Sequence, residues 1–229
     1  MQQPHVAMIA AGGGLPLPGL ADPDLRVRRI APGDALGDVQ RLRREVYFHE
    51  QGHYNDRGRR VSDGLDGCGN TLLVESEQRA IATLRLHDFD AAAVQVEYGN
   101  LFEVDTFARA WPLSSVAVAT RFAVQADRRS KAVVDRLFDA AYRWAQHTGA
   151  RFCLTACDPF LHSVFEHYGF REYLPPAILP GVELLRMALV VDDAPHLQAC
   201  GSPLQWLVER PAEAVPARAW LERAFGAAD

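Results

Sequence analysis

The sequence predicts an α/β (α+β) protein with a mixed central β-sheet flanked by helices. Three observations carry this. Several short runs have the period or apolar density of strands. One long segment, Lys131 to His147, has a clean helical stripe. The order of elements, β-α-β-β-β-α-β-α-β, lacks the regular alternation of a doubly wound nucleotide fold.

The elements follow in order. Leu25 to Ile30 alternates as a short strand. Asp34 stands where a helix N-cap is expected, ahead of Leu36, Val39, Leu42, Val46 and Tyr47 at helical spacing. Gly52 to Gly69 is rich in Gly, Asp, Asn and Arg and is expected as loop. Thr71 to Glu75 and Ala80 to His87 are strands joined by a polar turn. Asp88 to Pro112 shows no sustained period and is expected to be irregular. Ser115 to Val124 is a strong strand. Val134, Leu137, Phe138, Ala141 and Ala145 form the stripe of the long helix, which Gly149 closes. Arg151 to Ala156 is a buried strand, Pro159 to His167 a short helix and Glu183 to Val191 a final strand. The expected organisation is a flexible leader over 1–24, one domain over 25–191 and a Pro-broken helical extension over 192–229.

Composition narrows the function. The chain has 229 residues, 48% hydrophobic and 23% charged, with a net charge of −5. No basic block stands out, which argues against nucleic-acid binding. No apolar run approaches the roughly 20 residues that span a bilayer. Cys68, Cys153, Cys157 and Cys200 contain no Cys-x-x-Cys pair and are expected as reduced thiols in a cytoplasmic protein. Lys131 is the only lysine among 24 basic residues, a bias expected of a GC-rich bacterial genome.

The run of strand, basic turn and helix, followed by strand, helix and Tyr168-Gly169-Phe170, resembles the core of the GNAT superfamily. The usual coenzyme A loop of that superfamily is Arg/Gln-x-x-Gly-x-Gly/Ala; here Arg129-Ser130-Lys131-Ala132-Val133-Val134 stands in its place. The residue usually serving as a tyrosine acid falls at Phe165, which has no proton to donate. Both departures fit the branch of acyl-homoserine-lactone (autoinducer) synthases and N-acyl amino acid synthases. Arg43-x-x-Val46-Tyr47, Asp63-Gly64-Leu65-Asp66, Asn70-Thr71, Thr83-Leu84-Arg85-Leu86 and Thr120-Arg121-Phe122-Ala123-Val124 are similar to five motifs of that branch, in the same order. Val118 replaces the glutamate that homoserine-lactone synthases carry three residues before the strand arginine, which favours a different amine acceptor.

The resemblance implies a GNAT-like fold and transfer of a fatty acyl group to the amine of an amino acid or related small molecule. The donor is acyl-phosphopantetheine on acyl carrier protein, or acyl-coenzyme A, and no tightly bound cofactor is required. The partners implied are acyl carrier protein and a small amine, with neither nucleic acid nor a stable membrane insertion; monomer and homodimer stay open. Arg43, Asp63, Asp66, Arg85 and Arg121 are expected to form an ion-pair network shaping the acceptor pocket, and Glu97, Glu103 and Asp63 are candidate bases. The oxyanion is expected near the backbone of Arg121 to Ala123. Phe122, Val124, Leu154 and Phe165 are candidates for an acyl channel. Phe122, Ala123, Val124, Arg128, Arg129, Ser130, Lys131 and Ala132 are expected to meet the donor and its phosphate. Three other readings compete: a conventional acetyl-coenzyme A acetyltransferase, a silent acyl-binding module and a zinc hydrolase. The last uses His49-Glu50-Gln51-Gly52-His53, which matches His-Glu-x-x-His. Its extended pattern fails, because Asp56 and Arg59 stand where Gly and His are required.

Overall fold

A computed structural model describes residues 24–50, 61–179 and 182–226. The leader up to residue 23 lies outside the described residues, as does His53 of the His-Glu-x-x-His pattern; the side chains of His49 and Glu50 are likewise not described.

Seven strands form one sheet in the order β1-β2-β3-β4-β5-β7-β6. They are β1 (Arg26–Ile30), β2 (Asn70–Ser76), β3 (Arg79–Asp88), β4 (Val116–Val124), β5 (Phe152–Cys157), β6 (Arg171–Leu179) and β7 (Val182–Val190). Every pairing is antiparallel except β4 with β5. The helices are α1 (Gly37–Arg44), α2 (Ala92–Tyr98), α3 (Val104–Ala108), α4 (Lys131–Thr148), α5 (His162–His167), α6 (Ala194–Ala199) and α7 (Pro211–Phe225). A π-helical turn, Glu45–Glu50, extends α1.

Alternation along the strands divides the core between two faces. On one, Leu84 and Leu86 of β3 and Ala119 and Phe122 of β4 pack against Val133, Leu137 and Phe138 of α4. On the other, Leu73 and Ala123 meet Val39 and Leu42 of α1 and Val46 of the π-helical turn. Farther along that second face, Val116, Val118 and Leu154 meet α2, α3 and α7. All of β4 is buried because helices cover it on both sides. Ser130 caps α4, its hydroxyl accepting the Val133 N–H at 3.4 Å, and Gly149 ends it at φ +79°.

Three expectations need correction, and one strand is added. Asp34 is not a helix cap: its carboxylate accepts the Ala31 N–H at 3.1 Å, and α1 starts only after Leu36. The segment from Asp88 to Pro112 is not irregular but holds α2 and α3. Neither has a side-chain cap, so no local signal announces them; burial of Val94, Tyr98, Val104 and Phe107 stabilises them instead. The strand β6 is an addition. Pro175-Pro176 breaks its sequence pattern, but β6 is an edge strand, where missing N–H groups cost little, and its register shifts across the prolines. Finally, Leu154 does not share a channel with Phe122, Val124 and Phe165. It sits on the α2 face, and the other three sit on the α4 face.

The extension past residue 191 packs onto the domain. Leu197 and Leu204 join the core on the α4 side, and Ala214, Ala217 and Leu221 cover the other side. The buried Asp192 carboxylate accepts from the Tyr142 hydroxyl, the Gln146 side chain and the Glu209 N–H, fastening the start of the extension to α4.

Candidate active site

The α1 face of β3 presents Thr83, Arg85 and His87 in alternation. Arg85 is fully buried, and each of its five N–H donors is used. Its Nε donates to Thr120 Oγ1 at 3.2 Å. One terminal nitrogen donates to Asp63 Oδ1 at 2.5 Å and Asp66 Oδ1 at 2.7 Å. The other donates to Asp63 Oδ2 and the Tyr98 hydroxyl, both at 3.2 Å. Arg43, from α1, donates to both oxygens of Asp66 at 2.8 and 3.0 Å and to the Val61 carbonyl. Arg121, from β4, donates to Asp63 Oδ2 at 2.5 Å.

The spacing Asp63-x-x-Asp66 works because both residues lie in one turn. Asp63 N–H donates to Asp66 Oδ2 and Leu65 N–H to Asp63 Oδ1, so both carboxylates are aimed at the sheet. Residues from α1, this turn, β3 and β4 thus meet as the network that the sequence implied. Three guanidinium groups and two carboxylates thus meet in a buried place.

The charges set protonation. Burial alone would raise the Asp63 carboxyl, but hydrogen bonds and charge from Arg85 and Arg121 hold it well below the usual carboxylate range. Asp66 is lowered too, against its burial, chiefly by Arg43 and Arg85. A carboxylate so firmly ionised and so fully bonded is a poor proton acceptor, which removes Asp63 as a base. Glu103 pairs with Arg186 of β7 at 3.5 Å and is largely exposed. Glu97 differs. It is half-buried on α2, next to Tyr98, and burial followed by the negative charge of Asp63 raises its pKa, with Arg85 and Arg121 opposing. Glu97 thus lies within the field of Asp63, Arg85 and Arg121.

β4 is bulged at the site. The register passes from Thr83 opposite Ala123 to Arg85 opposite Thr120, leaving Leu84 across from both Arg121 and Phe122. Arg121 takes φ +59°, a left-handed conformation that costs a non-glycine residue about 1–2 kcal/mol. Its ion pair to Asp63 is made in that conformation. The bulge turns Phe122 toward α4 and Ala123 toward α1, so these two expected donor contacts face opposite sides of the sheet.

At the C-terminal end of β4 the basic residues gather around the start of α4. Arg128 and Lys131 are exposed, while Arg129, Ser130 and Ala132 are half-buried. Lys131 pairs with Asp135 at 2.8 Å, and Arg129 Nε donates to the Val124 carbonyl at 3.3 Å. A helix N-terminus ringed by cations favours an anion.

Sequence reasoning missed Tyr98, Thr120 and His87. Strand period was enough to place His87 on the face of Arg85. Tyr98 carried no signal, because its segment showed no period. His87 is buried, with its ring against Gly69: a side chain at Gly69 would place Cβ 2.5 Å from His87 Cε1 and 2.9 Å from Arg85 Cγ. Burial, with Arg85 nearby, pushes the His87 pKa down to about 3, so the ring is neutral.

This sheet with its flanking helices is a GNAT-like fold, and its family match makes the chain an acyltransferase. A family model described as N-acyl amino acid synthase FeeM matches residues 38–192, and the chain belongs to that family. A comparison with curated protein sequences finds no match. Among solved structures, FeeM, an N-acyl amino acid synthase from uncultured soil microbes, is similar at a TM-score of 0.61 and 16% identity, over 81% of this chain and 98% of that one. The CoA-dependent acyl-homoserine lactone synthase BjaI, with MTA, gives 0.61 and 19%, over 78% and 90%. An acyl-CoA N-acyltransferase from Pseudomonas aeruginosa gives 0.53 and 16%, over 72% and 99%. Among the described residues, no helix is long and apolar enough to cross a membrane, and no cluster of three His, Cys, Asp or Glu is placed to hold a metal.

Proposed function

We propose that this acyltransferase moves an acyl group from the phosphopantetheine of acyl carrier protein, or from acyl-coenzyme A, to the amine of an amino acid or related small molecule. The observation that carries the reading is the buried network on the α1 face. Asp63 and Asp66 are held ionised, and the buried guanidinium groups beside them suit an acceptor that bears a carboxylate. Glu97, with its raised pKa, takes a proton from the acceptor ammonium. The freed amine attacks the thioester carbonyl, the carbon–sulfur bond breaks, and the thiolate leaves and takes up the proton that the attacking nitrogen sheds as the amide forms. Backbone N–H groups at the β4 bulge, near Arg121 to Ala123, meet the oxyanion. Arg128, Arg129, Ser130, Lys131 and Ala132, at the start of α4, hold the donor phosphate, and the same basic residues suit the acidic surface of a carrier protein.

The test is thiol release from acyl-carrier-protein and acyl-coenzyme A donors, with pooled amino acids and amines as acceptors and mass detection of the product. An N-acyl product establishes the reading and names the acceptor. Turnover with acetyl-coenzyme A alone makes the protein a conventional acetyltransferase, and release from no donor overturns the proposal.

A further inference from the structure

We propose that Gln125 is a positioning residue that ties the donor's phosphate turn, through Glu45, to the α1 wall of the acceptor pocket, so that a bound donor firms that wall. The inference rests on the donor and acceptor placements proposed above.

Gln125 stands where β4 ends. Alternation from Ala123 keeps its side chain on the α1 face, while the chain itself goes on to α4 on the other face. Its backbone serves both neighbours. The Gln125 N–H donates to the Ile81 carbonyl of β3 at 2.9 Å, and the Gln125 carbonyl accepts the Arg128 N–H at 3.0 Å. The second bond closes the turn Ala126–Arg128, which delivers Arg128, Arg129, Ser130 and Lys131 to the start of α4.

The Gln125 side chain is buried, and its Nε2 donates to Glu45 Oε1 at 2.6 Å. Glu45 ends α1 and begins the π-helical turn, and its N–H donates to the Arg41 and Leu42 carbonyls. Two residues earlier, Arg43 holds Asp66; the next two residues, Val46 and Tyr47, are buried under the same helix. Arg79 also pairs with Glu45, at 3.2 Å, but it is largely exposed, where an ion pair contributes little. A short bond from an amide to a carboxylate, mostly out of water, is the stronger tie. π-helical turns are rare and occur mostly at functional sites, and this one lies between the tie and the acceptor pocket. An anion held at the basic turn restrains the turn's backbone. Gln125 carries that restraint around the end of the sheet to Glu45, and α1 carries it to Arg43.

The experiment follows backbone hydrogen exchange by mass spectrometry, with and without two probes: coenzyme A, and acyl carrier protein bearing phosphopantetheine. Slower exchange over 126–133 reports donor binding; slower exchange over 37–48 reports the acceptor wall. In wild type a probe is expected to slow both, the wall by about fivefold or more, the low end of coupling between sites. Gln125→Leu keeps the volume and removes the donor; it is expected to keep the first effect and lose the second. Gln125→Glu sets a carboxylate against Glu45 and is expected to do the same. Adding Glu45→Gln to it restores a hydrogen bond of reversed sense and is expected to restore the coupling, which a residue that only supports the fold would not do. Slowing over 126–133 alone in wild type, undiminished coupling in Gln125→Leu, or none regained in the double variant overturns the inference and leaves acyl transfer standing. No slowing over 126–133 with either probe overturns the donor placement and the inference together.

Discussion

Arg85 grips Asp63 with both prongs of its guanidinium, one nitrogen on each carboxylate oxygen, at 2.5 and 3.2 Å. The pairing is buried and two-pronged, the geometry that arginine supplies and lysine cannot. Arg85→Lys keeps the charge but loses the fork. It is expected to abolish most acyl transfer and lower the thermal midpoint, read by product formation and by calorimetry.

Asp66 accepts from Arg43 and Arg85 at once. Asp66→Asn leaves two buried guanidinium groups short of a counter-charge. Breaking a buried pair from one side typically costs about 3–5 kcal/mol, and urea unfolding should show a loss on that scale. A variant as stable as wild type would mean that the network contributes nothing to the fold.

If Glu97 is the base, Glu97→Gln keeps the fold and lowers turnover by roughly 100- to 10,000-fold, the usual contribution of a positioned base. The raised pKa fixes the sign of the pH response. The base works only when deprotonated, so kcat/KM of wild type rises with pH through a value above that of an ordinary glutamate. The acid limb should vanish in the glutamine variant. An identical profile in both proteins would assign the base elsewhere.

His87 makes stability depend on pH. Its folded pKa of about 3 lies below the ordinary 6.5, so the unfolded chain binds the proton more readily. The contribution is complete above pH 6.5 and is lost as pH falls from 6.5 toward 3, by about 1.4 kcal/mol per unit. Unfolding midpoints measured across that window should fall more steeply for wild type than for His87→Gln.

Gly69→Ala brings a methyl group into His87 and the Arg85 side chain. Overpacking of this kind costs about 1–3 kcal/mol. The double variant with His87→Ala should recover part of the loss, since contacting sites do not add independently.

Sequence period by itself determined most of the strands, the long helix α4 and the faces that Arg85 and His87 occupy, because alternation and helical stripes are local properties of the backbone. Five motifs in order also named the members of the ion-pair network. Only the tertiary structure decided the rest. Pro175-Pro176 reads as a break until β6 is seen at the sheet edge. Tyr98 belongs to a helix without a cap, so its hydroxyl reaches Arg85 only once the core has formed. Leu154 and Phe122 look alike in the sequence and lie on opposite faces of the sheet. Asp63 and Glu97 are both acidic side chains in the sequence, yet one is held ionised between Arg85 and Arg121 and the other is raised by burial. Such differences arise from partners tens of residues away, and a charge's behaviour is fixed by what surrounds it in space.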